Sequence, residues 1–312
     1  MSAQSVVGVD VAKRTFDMFM IGSSRPRSYR NTKQGITSFI KSLQLLVAPF
    51  VVMEATGSYQ RDLARRLAAA GISYSVVNPR TIRHFAKAGN FLAKTDRIDA
   101  RVIALYGERM APRVSVPPTE AAIQLKAVVT RRRTLVDFGA AEKKRKQTAE
   151  PFIRDQVETT IAFVRQQIAA LDRQIKQLIQ RCKDWAATAQ LLDTVSGVGH
   201  VLICTLLADL PELGLLPHKQ LAALVGVAPY NDDSGQHSGE RRCWGGRAHV
   251  RAALYMATIS AIRCNPVIKA YYHQLKDRGK KSKVAIVACM HKLLRILNAM
   301  VRDKKEWEPK IA

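Results

Sequence analysis

The chain has 312 residues, 47% of them hydrophobic, with 50 Lys and Arg against 25 Asp and Glu, a formal charge of +25. That is room for about two domains with real cores, and an excess of positive charge that draws polyanions, nucleic acid first among them. The five cysteines (Cys182, Cys204, Cys243, Cys264, Cys289) are odd in number and form no C-x-x-C pair, which argues against a disulfide framework or a zinc site. Reduced, buried thiols in a cytoplasmic protein are expected. The first residues lack the charged region and long apolar run of a signal peptide. No stretch approaches the ~18 uninterrupted apolar residues of a membrane span. A membrane-surface segment would concentrate the basic residues, which here spread along the chain.

The N-terminal third opens with three strand-like runs, Ser5–Ala12, Thr15–Gly22 and Pro26–Asn31, joined by turn-sized gaps as in an antiparallel meander. Ile36, Phe39, Ile40, Leu43 and Leu46 form a helical stripe. A buried strand, Phe50–Met53, ends on Glu54, as the first strand ends on Asp10. A helix follows over Tyr59–Ala70, then a strand over Tyr74–Val77, a helix opened by Pro79, and a last helix to about Arg109. The order β-β-β-α-β-α-β-α-α predicts a parallel section beside the meander, with sites at the ends of neighbouring strands.

The last of these helices begins within KTDRIDARVIA, Lys94–Ala104, which carries Asp96 and Asp99 three apart on one face. Alone, that is a capping Asp followed by a solvated first-turn acid, which a helix N-terminus tolerates. With Asp10 and Glu54 at strand ends, four carboxylates are predicted to converge. Crowded acids raise one another's pKa. Divalent cations with oxygen ligands resolve this, and a pair of them can promote phosphodiester cleavage.

The motifs GVDVAK, VVMEATGSY, SVVNP and KTDRIDA resemble, in order, the N-terminal domain of the DEDD transposases. These are insertion-sequence recombinases whose nuclease domain is similar to the RuvC Holliday-junction resolvase, with an RNase H-like fold. The resemblance implies Asp10, Glu54, Asp96 and Asp99 as ligands of Mg²⁺ or Mn²⁺.

Pro112, Pro117 and Pro118 mark a break. Leu125, Val128, Val129, Leu135 and Val136 then give an approximate stripe among Arg131–Arg133 and Lys143–Lys146. After Pro151, the residues Val157, Ile161, Val164, Ile168, Leu171, Ile175 and Leu178 alternate steps of four and three. That heptad seam predicts a coiled-coil arm, either a helical hairpin or an oligomerisation element. One long helix packed on its own domain is the rival. The Lys143–Lys146 cluster is read as a phosphate contact.

In the C-terminal third, Gly197 and Gly199 lie between two helical runs, as in a helix-hairpin-helix element whose backbone N–H groups meet DNA phosphate; plain helix capping is the rival. Lys219–Val225 reads as a helix. The segment Asn231–Met256 follows, with Ser234 before Gly235, and Arg241, Arg242 and Arg247 around Trp244-Gly245-Gly246. Arginines beside flexible backbone suit phosphate. By itself Ser234 reads as an ordinary turn serine, and no Ser-His-Asp spacing supports hydrolase chemistry, although His237 is near. Two helices, Val267–Arg278 and Val284–Arg302, close the chain around a basic loop holding Lys280 and Lys281. Tyr255, Ile259, Ile262, Leu293, Ile296 and Leu297 read as core.

APYNDDSG and RRCWGGRAHVRAALYM resemble the C-terminal domain of the same transposases. There a serine before glycine is the nucleophile that joins covalently to DNA, which implies Ser234, with Ser238 as competitor. A serine ester conserves the phosphodiester bond energy, so strands rejoin without ATP. The resemblance further implies double-stranded donor and target DNA, a structured bridge RNA pairing with both, and a dimer or tetramer. The serine would join the metal-bound acids from the same subunit or another, and the sequence leaves both open.

The expected fold class is thus α/β plus α. A RuvC-like nuclease domain spans 1–115, a coiled-coil arm 116–185, and a mainly helical domain with a helix-hairpin-helix-like element and the serine 186–312. The expected activity is serine-mediated, metal-assisted recombination. A metal-dependent junction nuclease that hydrolyses DNA, an invertase of the same fold, and a non-catalytic nucleic-acid scaffold are the alternatives.

Overall fold

The computed structural model describes residues 4–308 apart from 56, 92–95, 232, 235–236 and 240; for 96–98 and 237–238 it describes the backbone alone. The chain forms two compact units, Met1–Pro118 and Thr119–Ala312.

The first unit has the element order read from the sequence: β1 (Ser5–Val11), β2 (Thr15–Met20), β3 (Arg27–Arg30), α1 (Lys33–Gln44), β4 (Pro49–Glu54), α2 (Gln60–Ala69), β5 (Ser73–Val77), α3 (Pro79–Ala88) and α4 (Asp96–Met110). The strands form one mixed sheet in the order β3-β2-β1-β4-β5. The meander is antiparallel, whereas β4 and β5 join β1 in parallel after helical crossovers. Alternation along β1 and β4 sends Val7, Val9, Val11, Val51 and Met53 to one face, where they pack with Ile36, Phe39 and Leu43 of α1 and Leu63 and Leu67 of α2. Val6, Phe50 and Val52 face the other way and pack with Ile82 of α3 and Val102 and Ile103 of α4. Because β1 is covered on both faces, its run is almost wholly apolar, and the acid at its end stands out.

The second unit is helical apart from a small ribbon. Its helices are α5 (Glu120–Thr148), α6 (Pro151–Arg181), α7 (Lys183–Asp193), α8 (His200–Asp209), α9 (His218–Val225), α10 (Ala248–Cys264), α11 (Pro266–Asp277) and α12 (Ser282–Asp303). The ribbon strands are β6 (Asp233–Ser234) and β7 (His237–Ser238). Pro151, which cannot extend a helix from its own N–H, opens α6, so α5 and α6 fold back as a pair. The heptad seam is used inside the chain. Ile175 and Ile179 bury against Leu125 and Val129 of α5 and Cys204 of α8, and Gly139 of α5 lets Val164 approach. The pair is clamped by Arg132 and Asp172.

The remaining core gathers α8, α9, α10 and α12 around Leu202, Leu221, Val250, Leu254, Leu293 and Leu297. Among the described residues α12 is the one helix long and apolar enough to cross a membrane, with a mean hydropathy of 1.6, but Leu293, Leu294 and Leu297 on it are buried core. Two expectations need correction. Tyr255, read as core from its helical spacing, is 38% exposed, because α10 turns that side to solvent. Of the cysteines, Cys204 and Cys289 are buried, whereas Cys243 and Cys264 are exposed. Burial pushes both buried thiols up to about 11, so they are inert.

Candidate active site and nucleic-acid interface

Asp10 and Glu54 occupy the ends of adjacent parallel strands. The register runs Val7↔Val51, Gly8↔Val52, Val9↔Met53, so its next step sets Asp10 beside Glu54. Register partners share a sheet face, and this face is the one that α4 covers. Gly8 decides how closely. A Cβ there would collide with the carbonyl oxygen of Ala100 and the backbone nitrogen of Ala104, so only glycine lets the helix backbone lie on the strand. Further along the helix, Gly107 lies against Val6 and Val52. Helix α4 thus runs antiparallel to β1. Two strand residues, about 6.6 Å, match about four helical ones, so the level of Asp10 corresponds to positions 96–99 of α4.

The backbone of the first turn of α4 therefore lies level with the ends of β1 and β4, and Asp10, Glu54 and Asp99 are all half-buried. The side chain of Asp96 lies outside the described residues. Among the described residues no group of three or more His, Cys, Asp and Glu is arranged to hold a metal. The donor chemistry of the four positions, all carboxylate oxygen, nevertheless suits a hard cation. A further acid went unnoticed in the sequence. Asp17 of β2 pairs directly with Asp10, so it adds a carboxylate to the same sheet face; the alternation in TFDM was the signal. Arg101 lies over the Phe19 ring at 5.8 Å and brings positive charge to that face.

In the second unit, Tyr230 and Arg242 bridge the two chain segments that lead into the ribbon. Asp233 pairs with Ser238 and Ser234 with His237. Ser234 is exposed, with position 237 directly across from it in the ribbon. The side chains of His237 and Ser238 lie outside the described residues.

The expected nucleic-acid contacts divide. Arg241, Arg242, Lys280 and Lys281 are exposed, and the Lys280 carbonyl accepts a hydrogen bond from Lys276. Arg247 is engaged within the fold. It grips Glu212 through two hydrogen bonds of 2.6 and 2.7 Å and donates to the Asp209 carbonyl at 2.8 Å. Burial would raise the Glu212 pKa, but the bonds and charge of Arg247 outweigh it and hold the carboxyl below its usual range. Arg145 and Lys146, read as phosphate contacts, pair with Glu142 and Glu158.

Gly197 adopts a left-handed turn with φ of 93° and is wedged against the backbone of Ala261, which gives it a packing role. Gly199 stands in open space as the N-cap of α8. Beneath these elements, Asp209 is buried among Lys126, Arg133 and His249. The His249 Nε2 lies 3.1 Å from Asp209, without the alignment of a hydrogen bond.

Residues 7–149 match a family model of DEDD transposases of the IS110 type, described as transposase. Residues 189–273 match the model described as Transposase IS116/IS110/IS902 family. The chain belongs to this transposase family. The mixed α/β unit is consistent with its RNase H-like domain, and its members are DNA recombinases that cleave and rejoin strands. Among curated relatives, the pilin gene-inverting proteins of Moraxella bovis and Moraxella lacunata are each 28% identical over 319 residues, covering 99% of both chains. An uncharacterized 42 kDa protein of insertion element IS900 from Mycobacterium paratuberculosis is 27% identical over 157 residues, 48% of this chain and 39% of that protein.

Proposed function

We propose that this transposase cuts and rejoins DNA through a covalent bond between Ser234 and a strand end. The Ser234 oxygen attacks the scissile phosphorus and loses its proton, while the DNA oxygen on the other side leaves and gains one. A hydroxyl from the recombining partner then attacks the same phosphorus, frees the serine and restores a phosphodiester. Neither step consumes ATP, because one ester replaces another. The exposure of Ser234 on the ribbon, in a chain of this family, is the observation that carries the reading: the hydroxyl is open to a backbone as bulky as DNA.

Asp10, Glu54, Asp96 and Asp99 serve the same reaction. Mg²⁺ or Mn²⁺ bound there would act as a Lewis acid on phosphate oxygens. The chain's own part is to set acids at the ends of two parallel strands and on the first turn of a helix clamped to them by Gly8. The net charge of +25 supports binding of duplex DNA and of a structured bridge RNA that selects donor and target, by a dimer or tetramer acting at the nucleoid. Exposed Arg241, Arg242, Lys280 and Lys281 fit backbone contacts better than Arg247 does.

Inversion of a segment, in place of movement of an element, is favoured as a second reading by the full-length likeness to the two pilin gene-inverting proteins. Purified protein, Mg²⁺, donor and target DNA, and RNA transcribed from the flanking sequence test the proposal. Ser234→Ala and Asp10→Asn should each abolish recombinant junctions. Full recombination by Ser234→Ala would remove the serine from the chemistry, and hydrolysed ends from the wild type would favour a nuclease.

A further inference from the structure

Tyr230 and Trp244 sit at the base of the ribbon that carries Ser234. Their ring centroids are 5.4 Å apart with the planes tilted by 44°. Trp244 is 62% exposed and Tyr230 40%. A tryptophan needed only for stability is expected to bury its large apolar surface; this one is held out in water.

The support beneath it is rigid. Gly245 and Gly246 both have left-handed backbones, with φ of 75° and 70°. A Cβ on Gly246 would strike the backbone of Gly226, so the turn after Trp244 is locked against the end of α9. Arg251 donates to the Gly245 carbonyl at 2.6 Å and to the Val225 carbonyl at 3.3 Å. The Arg247 N–H donates to the Leu224 carbonyl at 2.9 Å. On the other side, Tyr230 and Arg242 exchange backbone hydrogen bonds of 3.0 and 3.3 Å. An exposed aromatic pair is thus fixed in place, with the exposed arginines Arg241 and Arg242 just before Trp244 in the chain, separated from it by Cys243.

Aromatic faces interleaved with arginines are the chemistry of single-strand binding, in which bases stack on the rings and phosphates meet the cations. Bases inside a duplex are already stacked, so the free ring face selects an unpaired base. Tyr230 and Ser234 are four residues apart in sequence, so the chain lets them lie at most about 14 Å apart, the length of a few nucleotides.

We propose that Trp244, backed by Tyr230, stacks an unpaired DNA base a few nucleotides from the phosphate that Ser234 attacks. The pair would then recognise the locally opened strand, with Arg241 and Arg242 on its backbone. The distance to the cleaved phosphate rests on the serine reading; the stacking itself does not.

The test uses full-length protein carrying Ser234→Ala, so that binding is measured without cleavage. The probes are one DNA duplex fully paired, and the same duplex with a short unpaired bubble containing 2-aminopurine. Stacking is worth ~1–3 kcal/mol per base, so adding Trp244→Ala should weaken bubble binding about 5- to 150-fold and abolish the 2-aminopurine quench, with duplex affinity unchanged within about twofold. Trp244→Phe should retain most of both, and the melting temperature should stay constant.

Equal loss on both probes, or loss on neither, would overturn the proposal. So would a fall in binding that merely follows a fall in melting temperature. Tighter Trp244-dependent binding of single-stranded RNA than of single-stranded DNA of the same sequence would overturn the assignment to DNA. If wild-type protein forms no serine adduct but the bubble preference still depends on Trp244, the serine reading fails and the stacking site stands.

Discussion

Replacing Gly8 by alanine adds one methyl group at the most confined point of the first unit. The new Cβ would lie 2.8 Å from the Ala104 Cα and closer still to the Ala100 carbonyl oxygen and the Ala104 nitrogen. Carbon atoms in contact settle about 3.5–4.0 Å apart, so α4 must withdraw by roughly 1 Å. Overpacking of this kind costs about 1–3 kcal/mol. For a unit of this size, each kcal/mol lowers the melting temperature by about 4 °C or more, giving a fall of roughly 4–15 °C. The same withdrawal carries Asp99 away from Asp10 and Glu54, and a misplacement of 1 Å can cost about 10²-fold in rate.

Thermal melts followed by circular dichroism, alongside recombination assays at a temperature where the variant is folded, measure both effects. The obstructing atoms belong to the helix backbone, so truncating side chains with Ala100→Gly or Ala104→Gly should rescue neither. A Gly8→Ala protein with wild-type melting and wild-type recombination would refute the close approach of α4 and the acid placement drawn from it.

Other outcomes follow from the second unit. Arg247→Ala should destabilise it by about 1–2 kcal/mol in urea melts, since it breaks a two-pronged pair that is about one-third exposed; an arginine that only touched phosphate would leave the melt unchanged. Ile175→Ala, at a fully buried position of the α5–α6 seam, should cost about 2–5 kcal/mol, whereas Phe163→Ser, 59% exposed on α6, should change stability by less than ~0.5 kcal/mol. Burial, with help from neighbouring cations, holds the pKa values of His249 and His291 below the ordinary 6.5; for His249 the pull of Asp209 is outweighed. Between those lowered values and 6.5 the unfolded chain binds protons that the folded chain does not, so stability should fall as pH drops through that window and level off below it. Urea melts between pH 7.5 and 5 check this, and His249→Gln should reduce the slope.

The first unit was legible because its signals are local. Apolar runs of strand length, broken by turns and by helical stripes, determine the element order, and an acid that ends such a run is visible without a structure. The role of Gly8 was not legible: inside a strand pattern a glycine reads as a weakness, and only the helix folding back over it from residues 100–104 gives it a purpose. The heptad seam of α6 announced a buried face but not its partner, since the matching stripe on α5 is interrupted by Arg131–Arg133. Arg247 looked like a phosphate ligand because Glu212 lies 35 residues earlier, beyond the reach of any local pattern. The ribbon escaped for the opposite reason: two-residue strands are too short to show alternation. The Ser-Gly pair was the one local signal that singled out Ser234.

A serine–DNA ester is tested most directly by the site of covalent attachment. Wild-type protein is incubated with Mg²⁺, guide RNA and a DNA substrate nicked just beyond the cleavage site, so that the leaving fragment diffuses away. The adduct is then digested with protease and nuclease and sequenced by mass spectrometry. A nucleotide joined through phosphate to Ser234, and absent from Ser234→Ala and Asp10→Asn, is the predicted result. Attachment at Ser238, or efficient cleavage to hydrolysed ends with no adduct, would contradict it.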